Sequence, residues 1–487
     1  MPQKKSNCIR NAITLVLLSS QASHAAEFVV QTTGDSGGGT ATLVSGNTYN
    51  VDTLRSAIEL ANNEVQFEGA DSITFDAIIT SSGPATIDIT AIGDTYDRFG
   101  QISNSGFGID TEITILGTAD RSEITLEAGA LRHFQINSSG KLNLNNITMS
   151  GGEGAANLSG EGGSVLVKPS GELNVNNCHF DNNQAYRGGV IGMRYGTAPS
   201  TITNSLFTNN TTLNVFYSLG PGGAISIGSY SQLNLIDSTL SNNTAGAGGA
   251  LFNSGTAVID GSTFNNNQAN SGGAIHSNNV GVSTITNSTI ANNTSNYQGG
   301  GILLGSDGLV NTLVNSTIVD NQSLTNTARI TDNEIFGGIS FDTSGGGIFA
   351  SEENNLIMHN LLVANNTETM ANTPDDVAAI LDSSSSFNLI GVGDSIVNIS
   401  DGSNGNQIGT LANPIDALTG TLGDYGGPTQ TVLLDPQSPA INAGSNTAAT
   451  NLSLINDQRG TGFPRILDNQ VDIGALEIDL IFKNGFE

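Results

Sequence analysis

Residues 287–293 read Asn-Ser-Thr-Ile-Ala-Asn-Asn, and this phrase decides the fold because variants of it return along the middle of the chain. Each variant has a small polar run, one large apolar residue, two more residues and then asparagine. Successive copies begin 24 to 33 residues apart, except for a last interval of 45. The copies lie at residues 177–183, 204–210, 237–243, 261–267, 287–293, 315–321 and 360–366. A period of this length predicts stacked repeats, with an inserted loop in the last interval.

A second phrase, paired glycines followed by an apolar run, alternates with the first, as at residues 248–251 and 272–275. The remaining runs, such as residues 283–286, are short and rich in β-branched residues, which favours strands over helices. A unit of two or three strands cannot bury its apolar side alone, but stacked units can, at about 4.8 Å per strand. The sequence therefore predicts an all-β protein, a right-handed parallel β-helix.

The same repeat predicts what fills the interior of the coils. The large apolar residues would form one inward column: Met149, Phe180, Phe207, Leu240, Phe264, Ile290, Ile318 and Val363. Asparagine amides one coil apart can hydrogen-bond to each other in a ladder. The paired glycines suit corners that need a positive φ or a close backbone approach. Ile285 and Ile290 differ in parity, which predicts a bulge or corner between them.

These alternating phrases resemble the repeats of the polymorphic outer membrane proteins over about residues 149–366. The resemblance implies a right-handed β-helix of the pectin-lyase type on a bacterial surface. At the N-terminal side, residues 52–63 predict a helix with Leu54, Ile58 and Ala61 on one face and a cap at Thr53 or Asp52. This segment resembles the Cys-Ser-Leu-Arg-Glu-Ala motif of secreted β-helix proteins, with Asp52 and Ser56 as departures. We expect the helix to cover the first coil, and a functional role for Arg55 is the less favoured interpretation.

The C-terminal stretch, with its phrases at residues 422–431, 438–444, 457–460 and 471–475, resembles the choice-of-anchor Q domain. That family name implies surface attachment. Residues 481–487 resemble a terminal signature of exported Gram-negative proteins, with a sorting role and a frayed end as equal alternatives. The predicted organisation is a signal peptide (1–25), a capping region with the first coils (26–125), the β-helix repeats (126–400) and the C-terminal region (401–487).

The first residues have the features of a secretory signal: a basic start, an apolar stretch at residues 12–18 and a small-x-small site at residues 23–25. Cleavage is expected between Ala25 and Ala26. It would remove three positive charges, taking the formal charge from −29 to −32. Such acidity argues against nucleic acid as a partner. Only Cys178 would remain, so an intramolecular disulfide is excluded, and we expect no membrane-spanning helix in the mature chain.

Catalytic residues are poorly supplied by the central repeats. Between Arg194 and Arg329 there is no Lys or Arg, and the acids there are Asp237, Asp260, Asp307 and Asp320. Eliminative cleavage of a polyuronate needs a base and cations that hold the substrate carboxylate, whereas glycoside hydrolysis needs two carboxylates at a set distance. The widely spaced His179, His276 and His359 would meet on a metal only if the coil register aligned them. We therefore assign no catalytic, cofactor-binding or metal-binding residue from the sequence.

A few further segments have a candidate role. Asp375-Asp376 after Pro374 predicts a turn, and Asp457-Gln458-Arg459 predicts a structural ion pair. Residues 305–308 resemble a single calcium-binding glycine-aspartate turn. Aromatic side chains that can contact a glycan are Phe216, Tyr217, Tyr230 and Tyr297.

The interpretation favoured by the sequence is an exported, surface-associated scaffold, secreted or on the outer membrane of a Gram-negative bacterium. It would act in adhesion or envelope interaction, with a glycan or a host or cell-envelope surface as partner, without a cofactor and without catalysis. The alternative is a polysaccharide lyase or glycoside hydrolase of the pectin-lyase-like group. A third interpretation, an autotransporter passenger, is disfavoured because too few residues follow Gly402 for a typical β-barrel.

Overall fold

The computed structural model describes residues 25–93, 104–154, 160–215, 218–305, 308–324, 345–350, 356–368 and 373–479. Within these ranges the chain winds as a right-handed parallel β-helix, and the predicted fold class is confirmed. The coils form four sheets, which we name A, B, C and D. Along the chain, each full coil contributes a strand first to sheet A, then to sheet B, then to sheet D and last to sheet C. Residues 1–24 of the predicted signal peptide, Asp307, Phe216, Tyr217 and the tail at residues 481–487 lie outside the described ranges.

Sheets A and B form two walls of the helix. Sheet A contains Thr42–Ser45, Thr48–Val51, Glu27–Val30, Asp71–Phe75, Glu112–Leu116, Lys141–Asn145, Glu172–Asn176, Ser200–Thr203, Gln232–Ile236, Thr256–Asp260, Val282–Thr286, Asn311–Val314 and Leu356–His359. Sheet B contains Ala85–Asp88, Ile124–Glu127, Thr148–Ser150, His179–Asp181, Leu206–Thr208, Thr239–Ser241, Thr263–Asn265, Thr289–Ala291, Thr317–Val319, Leu362–Ala364, Leu389–Ile390 and Gln407–Ile408.

Sheets D and C complete the coil, and two small hairpins lie outside it. Sheet D contains Gln184–Ala185, Thr211–Thr212, Thr244–Ala247, Gln268–Ser271, Thr294–Ser295, Gln322–Ser323, Thr367–Glu368 and Thr373–Pro374. Sheet C contains Ser105–Ile109, Arg132–Ile136, Val165–Val167, Ile191–Met193, Ile225–Ile227, Leu251–Asn253, Ile275–Ser277, Ile302–Leu304, Ile348–Ala350, Val377–Ile380 and Ser395–Val397. The hairpins pair Asn214–Val215 with Ser218–Leu219 and Thr419–Gly423 with Thr431–Leu434.

The predicted apolar column exists and points inward. In sheet B, Phe180 pairs with Phe207, whose ring stacks on it at 4.8 Å between centroids. The register continues through the other predicted members, which are all fully buried: Met149, Leu240, Phe264, Ile290, Ile318 and Val363. Burial of each such side chain stabilises the fold by about 1.5–3 kcal/mol, so the stacked column supplies much of the core.

Left-handed backbone conformations turn the chain at both ends of the eight sheet B strands from Thr148–Ser150 to Leu362–Ala364. Asn287 (φ 46°) precedes the strand Thr289–Ala291 and Asn292 (φ 58°) follows it, so the corner predicted between Ile285 and Ile290 is confirmed. Asparagine tolerates this conformation better than most residues. The paired glycines form another corner: Gly272 has a φ of 63°, and a Cβ on Gly273 would collide with the carbonyl oxygen of Gly300.

The second asparagine of each phrase forms the predicted ladder, which we call the amide column. In it, Asn243 Nδ2 donates to Asn267 Oδ1 (3.0 Å), and Asn267 Nδ2 donates to Asn293 Oδ1 (2.9 Å). The column runs from Asn183 through Asn210, Asn243, Asn267, Asn293, Asn321 and Asn366. Every Nδ2 donates toward the C-terminal coil, so the amide dipoles are aligned, and the last acceptor is a carboxylate, Asp376 (2.8 Å).

A helix closes the first coil, as predicted. Helix α1 spans Leu54–Ala61, and its cap Thr53 accepts a hydrogen bond from the backbone N–H of Ser56. The predicted apolar face, Leu54, Ile58 and Ala61, is buried against the core. The helix thereby covers apolar side chains that the first coil would otherwise expose to solvent. Within the described ranges, none of the helices is both long enough and apolar enough to span a membrane.

Residues 415–479 pack along the outer face of sheet B over the later coils. There Val319, Leu362 and Ala364 form a second apolar cluster with Val432 and Ile473, among others. Strand Leu362–Ala364 is consequently buried on both faces, whereas the outer face of the earlier strand His179–Asp181 is only partly buried. This segment also contains the short helix α2, Asn446–Asn451, and a 3₁₀ turn, Ser403–Gly405, precedes it.

Buried polar groups attach this C-terminal segment to the coils. Arg465 is fully buried; it pairs with Glu477 (2.9 Å) and donates to Asn287 Oδ1 (2.8 Å). Burial raises the pKa of the Glu477 carboxyl to about 9, and the guanidinium of Arg465 acts in the opposite direction. Gln458 bonds to Thr263 and Thr289 on sheet B. Because unpaired polar groups are costly in such a place, these bonds specify where the segment sits.

Candidate ligand-binding cleft

A cleft of about 590 Å³ opens on the outer face of sheet C. Its floor includes Gly192, Ser226 and Phe252, which pair in register on neighbouring coils, and Leu166 continues this outward-facing column beyond the cleft. The inward neighbours Ile225 and Ile227 belong to the core, so Ser226 faces outward. Gly192 and Ser226 are small and lie between two large side chains. The small side chain of Ser226 therefore leaves space at the floor of the cleft, whereas the space over Gly192 is taken by Glu161 and Gly162, which an added Cβ would meet within 3.0 Å.

Among the described residues, the charged side chains that line the cleft are the cations Lys168, Arg187 and Arg194 and the carboxylate of Glu161. Lys168 and Arg194 follow the paired residues Val167 and Met193, so they leave the sheet on neighbouring coils about 4.8 Å apart. Arg187 lies on the opposite side, where it pairs in register with Glu161. The lining therefore has an excess of two positive charges, in a chain whose formal charge is −29.

Short contacts hold the inner part of this charge cluster in place. Arg194 Nε lies 2.5 Å from Glu161 Oε2, and both side chains are largely buried. Behind them, buried Arg132 donates to the carbonyl oxygens of Glu161 (3.1 Å) and Gly162 (2.7 Å). Burial and the neighbouring charge of Arg194 lower the pKa of Arg132 to about 10, against the opposing effect of Glu161. Arg194 is thus oriented by its surroundings, whereas Arg187 is exposed on the rim.

Two tyrosines stand beside the cleft. Tyr195 lines it, and the ring of Tyr230 packs on Tyr195 with 4.9 Å between centroids. Tyr230 is 79% exposed and has a φ of 61°, a conformation that is uncommon for a bulky residue. Holding it costs about 1–3 kcal/mol, and such strain concentrates at functional sites. The backbone geometry does not favour tyrosine at this corner and most of its ring is exposed, so the aromatic pair is a candidate contact surface.

The structure separates the three histidines considered from the sequence. His179 lies on the outer face of sheet B and bonds to Thr208 Oγ1 (2.7 Å). His276 packs against Phe252 on sheet C, and His359 lies in sheet A beside Ser386 Oγ (2.9 Å). The register therefore does not bring them to one metal. No group of three or more His, Cys, Asp or Glu side chains with metal-binding geometry occurs in the described parts of the chain.

The other charged residues considered in the sequence form ion pairs or are buried within the fold. Arg55 forms an ion pair with Asp35 (2.8 Å) and lies over the ring of Phe107. Arg459 pairs with Asp457 (2.5 Å), in agreement with the predicted ion pair. Burial, together with the neighbouring charge of Asp260, raises the pKa of Asp237 to about 6. Burial also raises the pKa of Asp320.

The turn predicted at Asp375-Asp376 is wrong. Both residues are buried, and Asp376 accepts hydrogen bonds at the end of the amide column. A Pro-Asp-Asp sequence favours a turn locally. In the fold, however, Asp376 lies next to Asn366 in the amide column, and the backbone N–H and Nδ2 of Asn366 both need a hydrogen-bond acceptor. Burial and Asp375 raise the pKa of Asp376 to about 7, although its three N–H donors act in the opposite direction.

Sequence reasoning missed the cleft. Its cations are 19 and 7 residues apart along the chain, and only the coil register brings Lys168, Arg187 and Arg194 together. Tyr230 was identified among the candidate aromatics, but its partner Tyr195 was not. The available signal was the small residue Ser226 at the central position of its strand, where the next three coils have Phe252, His276 and Leu303.

The fold and the cleft define a parallel β-helix protein with a cationic groove on one wall. No protein family profile and no curated protein matches the chain. The family resemblances noted for the repeats and for both ends therefore stay predictions. Among solved structures, the crystal structure of pectate lyase Pel9A is similar with a TM-score of 0.48 and 13% identity, covering 94% of this chain and 98% of that chain. At this level of likeness the comparison carries no conclusion on activity or ligand.

Proposed function

We propose that this protein is an exported surface scaffold that binds acidic polysaccharide in the cleft without cleaving it. The observation that carries the proposal is the gathering of Lys168, Arg187 and Arg194 on one wall of an otherwise strongly acidic molecule. Guanidinium groups bind carboxylates and sulfates by charge-assisted hydrogen bonds, and the tyrosine pair offers a face for sugar rings. Repulsion by the rest of the surface would restrict an anionic polymer to this wall.

Binding is favoured over glycoside hydrolysis by the composition of the cleft. Hydrolysis uses two carboxylates on either side of the scissile bond, and among the described residues that line the cleft the only carboxylate is Glu161. That carboxylate is held by Arg194 at 2.5 Å and serves as its counter-ion. Eliminative cleavage remains the alternative function, because it needs cations and a single base. A product assay therefore accompanies each binding measurement below.

The first experiment fills the cleft while keeping its charge. Ser226→Phe places at the floor the residue that the next coil has at the paired position, Phe252, so we expect the fold to accept it. Calorimetric titration with polygalacturonate, alginate and neutral dextran should show binding of the acidic polymers to the natural protein and its loss in the variant. Retained affinity in a folded Ser226→Phe variant would contradict the proposal.

The second experiment removes one charge at a time. Arg187→Gln should weaken binding by about tenfold to a hundredfold, because a charge-assisted hydrogen bond contributes about 1.5–3 kcal/mol. The matched control is Lys141→Gln, which makes the same change on the outer face of sheet A, where Lys141 pairs with Glu112 and Glu172. Equal losses in the two variants would indicate general charge attraction. Formation of unsaturated products would instead favour a lyase.

Export is tested separately. Fractionation of cells that produce the tagged full chain should place the protein in the medium or the outer membrane fraction. Recovery of the uncut chain in the cytoplasm would contradict the exported part of the proposal and leave the binding part standing.

A further inference from the structure

The first strand of sheet A begins next to a buried carboxylate. Ala26 is 2% exposed and Asp71 is 1% exposed. The backbone N–H of Ala26 donates to Asp71 Oδ1 at 2.6 Å, and the N–H of Ser72 donates back to the carbonyl oxygen of Ala26 at 2.9 Å. Asp71 therefore closes the end of the ladder between Glu27–Val30 and Asp71–Phe75.

Within the described part of the chain, this carboxylate is incompletely satisfied. Asp71 Oδ2 is buried and has no hydrogen-bond partner among the described residues. No ion pair within those residues joins Asp71 to a lysine, arginine or histidine, and the charged group that acts on it is another acid, Glu64. Burial, and to a smaller extent Glu64, raises the pKa of Asp71 to about 6, against the lowering effect of the Ala26 N–H. A buried carboxylate that stays ionised is stabilised by a cation placed beside it.

The missing cation has an evident source in the sequence. The expected signal-peptide site, Ser23-His24-Ala25, ends immediately before Ala26. Ala25 is exposed whereas Ala26 is buried, so the chain enters the fold at the peptide bond between them. We propose that Asp71 is the binding site for the new N-terminal ammonium that is created when a leader peptidase cuts between Ala25 and Ala26.

The covalent step is a peptide hydrolysis. One water molecule is consumed, the bond between the carbonyl carbon of Ala25 and the nitrogen of Ala26 breaks, Ala25 leaves with a carboxylate, and the nitrogen of Ala26 becomes an ammonium. That nitrogen already lies 2.6 Å from Asp71 Oδ1. The ammonium adds two N–H donors and a positive charge beside Asp71 Oδ2 and Glu64.

Cleavage would thus change the N-terminal cap as well as release the leader. The strand Glu27–Val30 lies between Thr48–Val51 and Asp71–Phe75 in sheet A and contacts α1. An ion pair at its first residue would hold this strand in register from its end. Before cleavage the same place contains an uncompensated charge, so the uncut chain has the weaker cap. This inference is independent of what the cleft binds.

The test compares chains that differ only at the N-terminus. A chain that starts at Ala26 is compared with one that starts at Ala25, which has the same charge displaced by one residue, each with Asp71 and with Asp71→Asn. We expect the Ala26 chain to have the higher melting temperature when Asp71 is present, and the difference to vanish with Asp71→Asn. Mass spectrometry of the protein exported from the full chain should show Ala26 as its first residue.

A chemical measurement makes the test robust if the Asp71→Asn variant folds poorly. An ion-paired ammonium should react more slowly with an acylating reagent, by about tenfold for each unit by which its pKa is raised. We therefore expect slow acylation of the Ala26 chain and fast acylation of the Ala25 chain. Equal acylation rates, equal melting temperatures of the two chains with Asp71 present, or a mature N-terminus other than Ala26 would each overturn the proposal.

Discussion

The amide column allows a sharp test, because the adjacent residues Asn266 and Asn267 are asparagine for different reasons. Asn267 Oδ1 accepts from the backbone N–H and the Nδ2 of Asn243, both at 3.0 Å. Its Nδ2 donates to the carbonyl oxygen of Leu240 and to Asn293 Oδ1, both at 2.9 Å. Asn267→Ala removes all of these bonds at a site that is 1% exposed.

The magnitude follows from which groups lose their partner. Asn243 Nδ2 still reaches the carbonyl oxygen of Phe207, and Asn293 Oδ1 still accepts from the backbone N–H of residue 267. The buried N–H of Asn243 loses the acceptor, which costs about 1–3 kcal/mol, and the other lost bonds contribute about 0.5–1.5 kcal/mol each. We expect Asn267→Ala to lower the free energy of unfolding by about 5 kcal/mol.

The control is the neighbouring residue. Asn266 is exposed and has a φ of 55°, a conformation that glycine adopts without steric cost. Asn266→Gly should therefore change the free energy of unfolding by about 1 kcal/mol or less. The two substitutions remove asparagine side chains one residue apart, so a difference between them reports the ladder and not asparagine content.

The assay has to allow for partial unfolding, because a solenoid is stabilised coil by coil and two-state behaviour is not assured. Urea midpoints followed by circular dichroism should be combined with native-state hydrogen exchange. In Asn267→Ala, protection should fall first in the coils on either side of residue 267. An Asn267→Ala variant as stable as Asn266→Gly, with unchanged exchange in those coils, would refute the reasoning.

Three further predictions follow from particular residues. Tyr230→Gly should leave the melting temperature unchanged or raise it, because it removes the strain at a φ of 61°. The same variant should bind polysaccharide more weakly in titration. A lowered affinity with lowered stability would contradict the role of Tyr230 as a contact residue. Asp376→Asn should lower the free energy of unfolding by about 1–3 kcal/mol in urea titration, because an amide group would face the N–H of Val392, now 2.7 Å from Asp376 Oδ2. Burial lowers the pKa of His133 to about 4, so the contribution of the neutral imidazole to stability is complete above pH 6.5 and is lost as the pH falls toward 4. His133→Gln should therefore flatten the pH dependence of the melting temperature between pH 4 and 6.5. An unchanged slope would show that His133 does not remain neutral in the fold.

The periodic part of the fold was predictable because its signal is local and repeated. Residues such as Asn287 and Asn292 specify turns through their own backbone preferences, and Ile290 marks the inward face between them. Repetition then makes the register consistent, since each copy presents the same amide and the same apolar group to the next coil. The capping helix was predictable because its signals, the cap Thr53 and the apolar face, are also local in the sequence.

The candidate site was not predictable in this way, because it depends on which non-repeating residues share a wall. Lys168, Arg187 and Arg194 differ from the repeat and from one another, and nothing local indicates that they line one cleft. The role of Asp376 escaped for a related reason. The residues next to Asp376 in the sequence favour a turn. Its burial instead follows from its position at the end of the amide column, which is formed by asparagines on other coils.

The sequence by itself determined the repeat, and with it the coil, the inward columns and the turns, because each rests on preferences of residues close together in the chain. Only the tertiary structure decided where the positive charges gather, which carboxylate ends the amide column and which one lies against Ala26. Those relations join residues on different coils or different sheets. They depend on the register between strands, which is set by packing of the whole core.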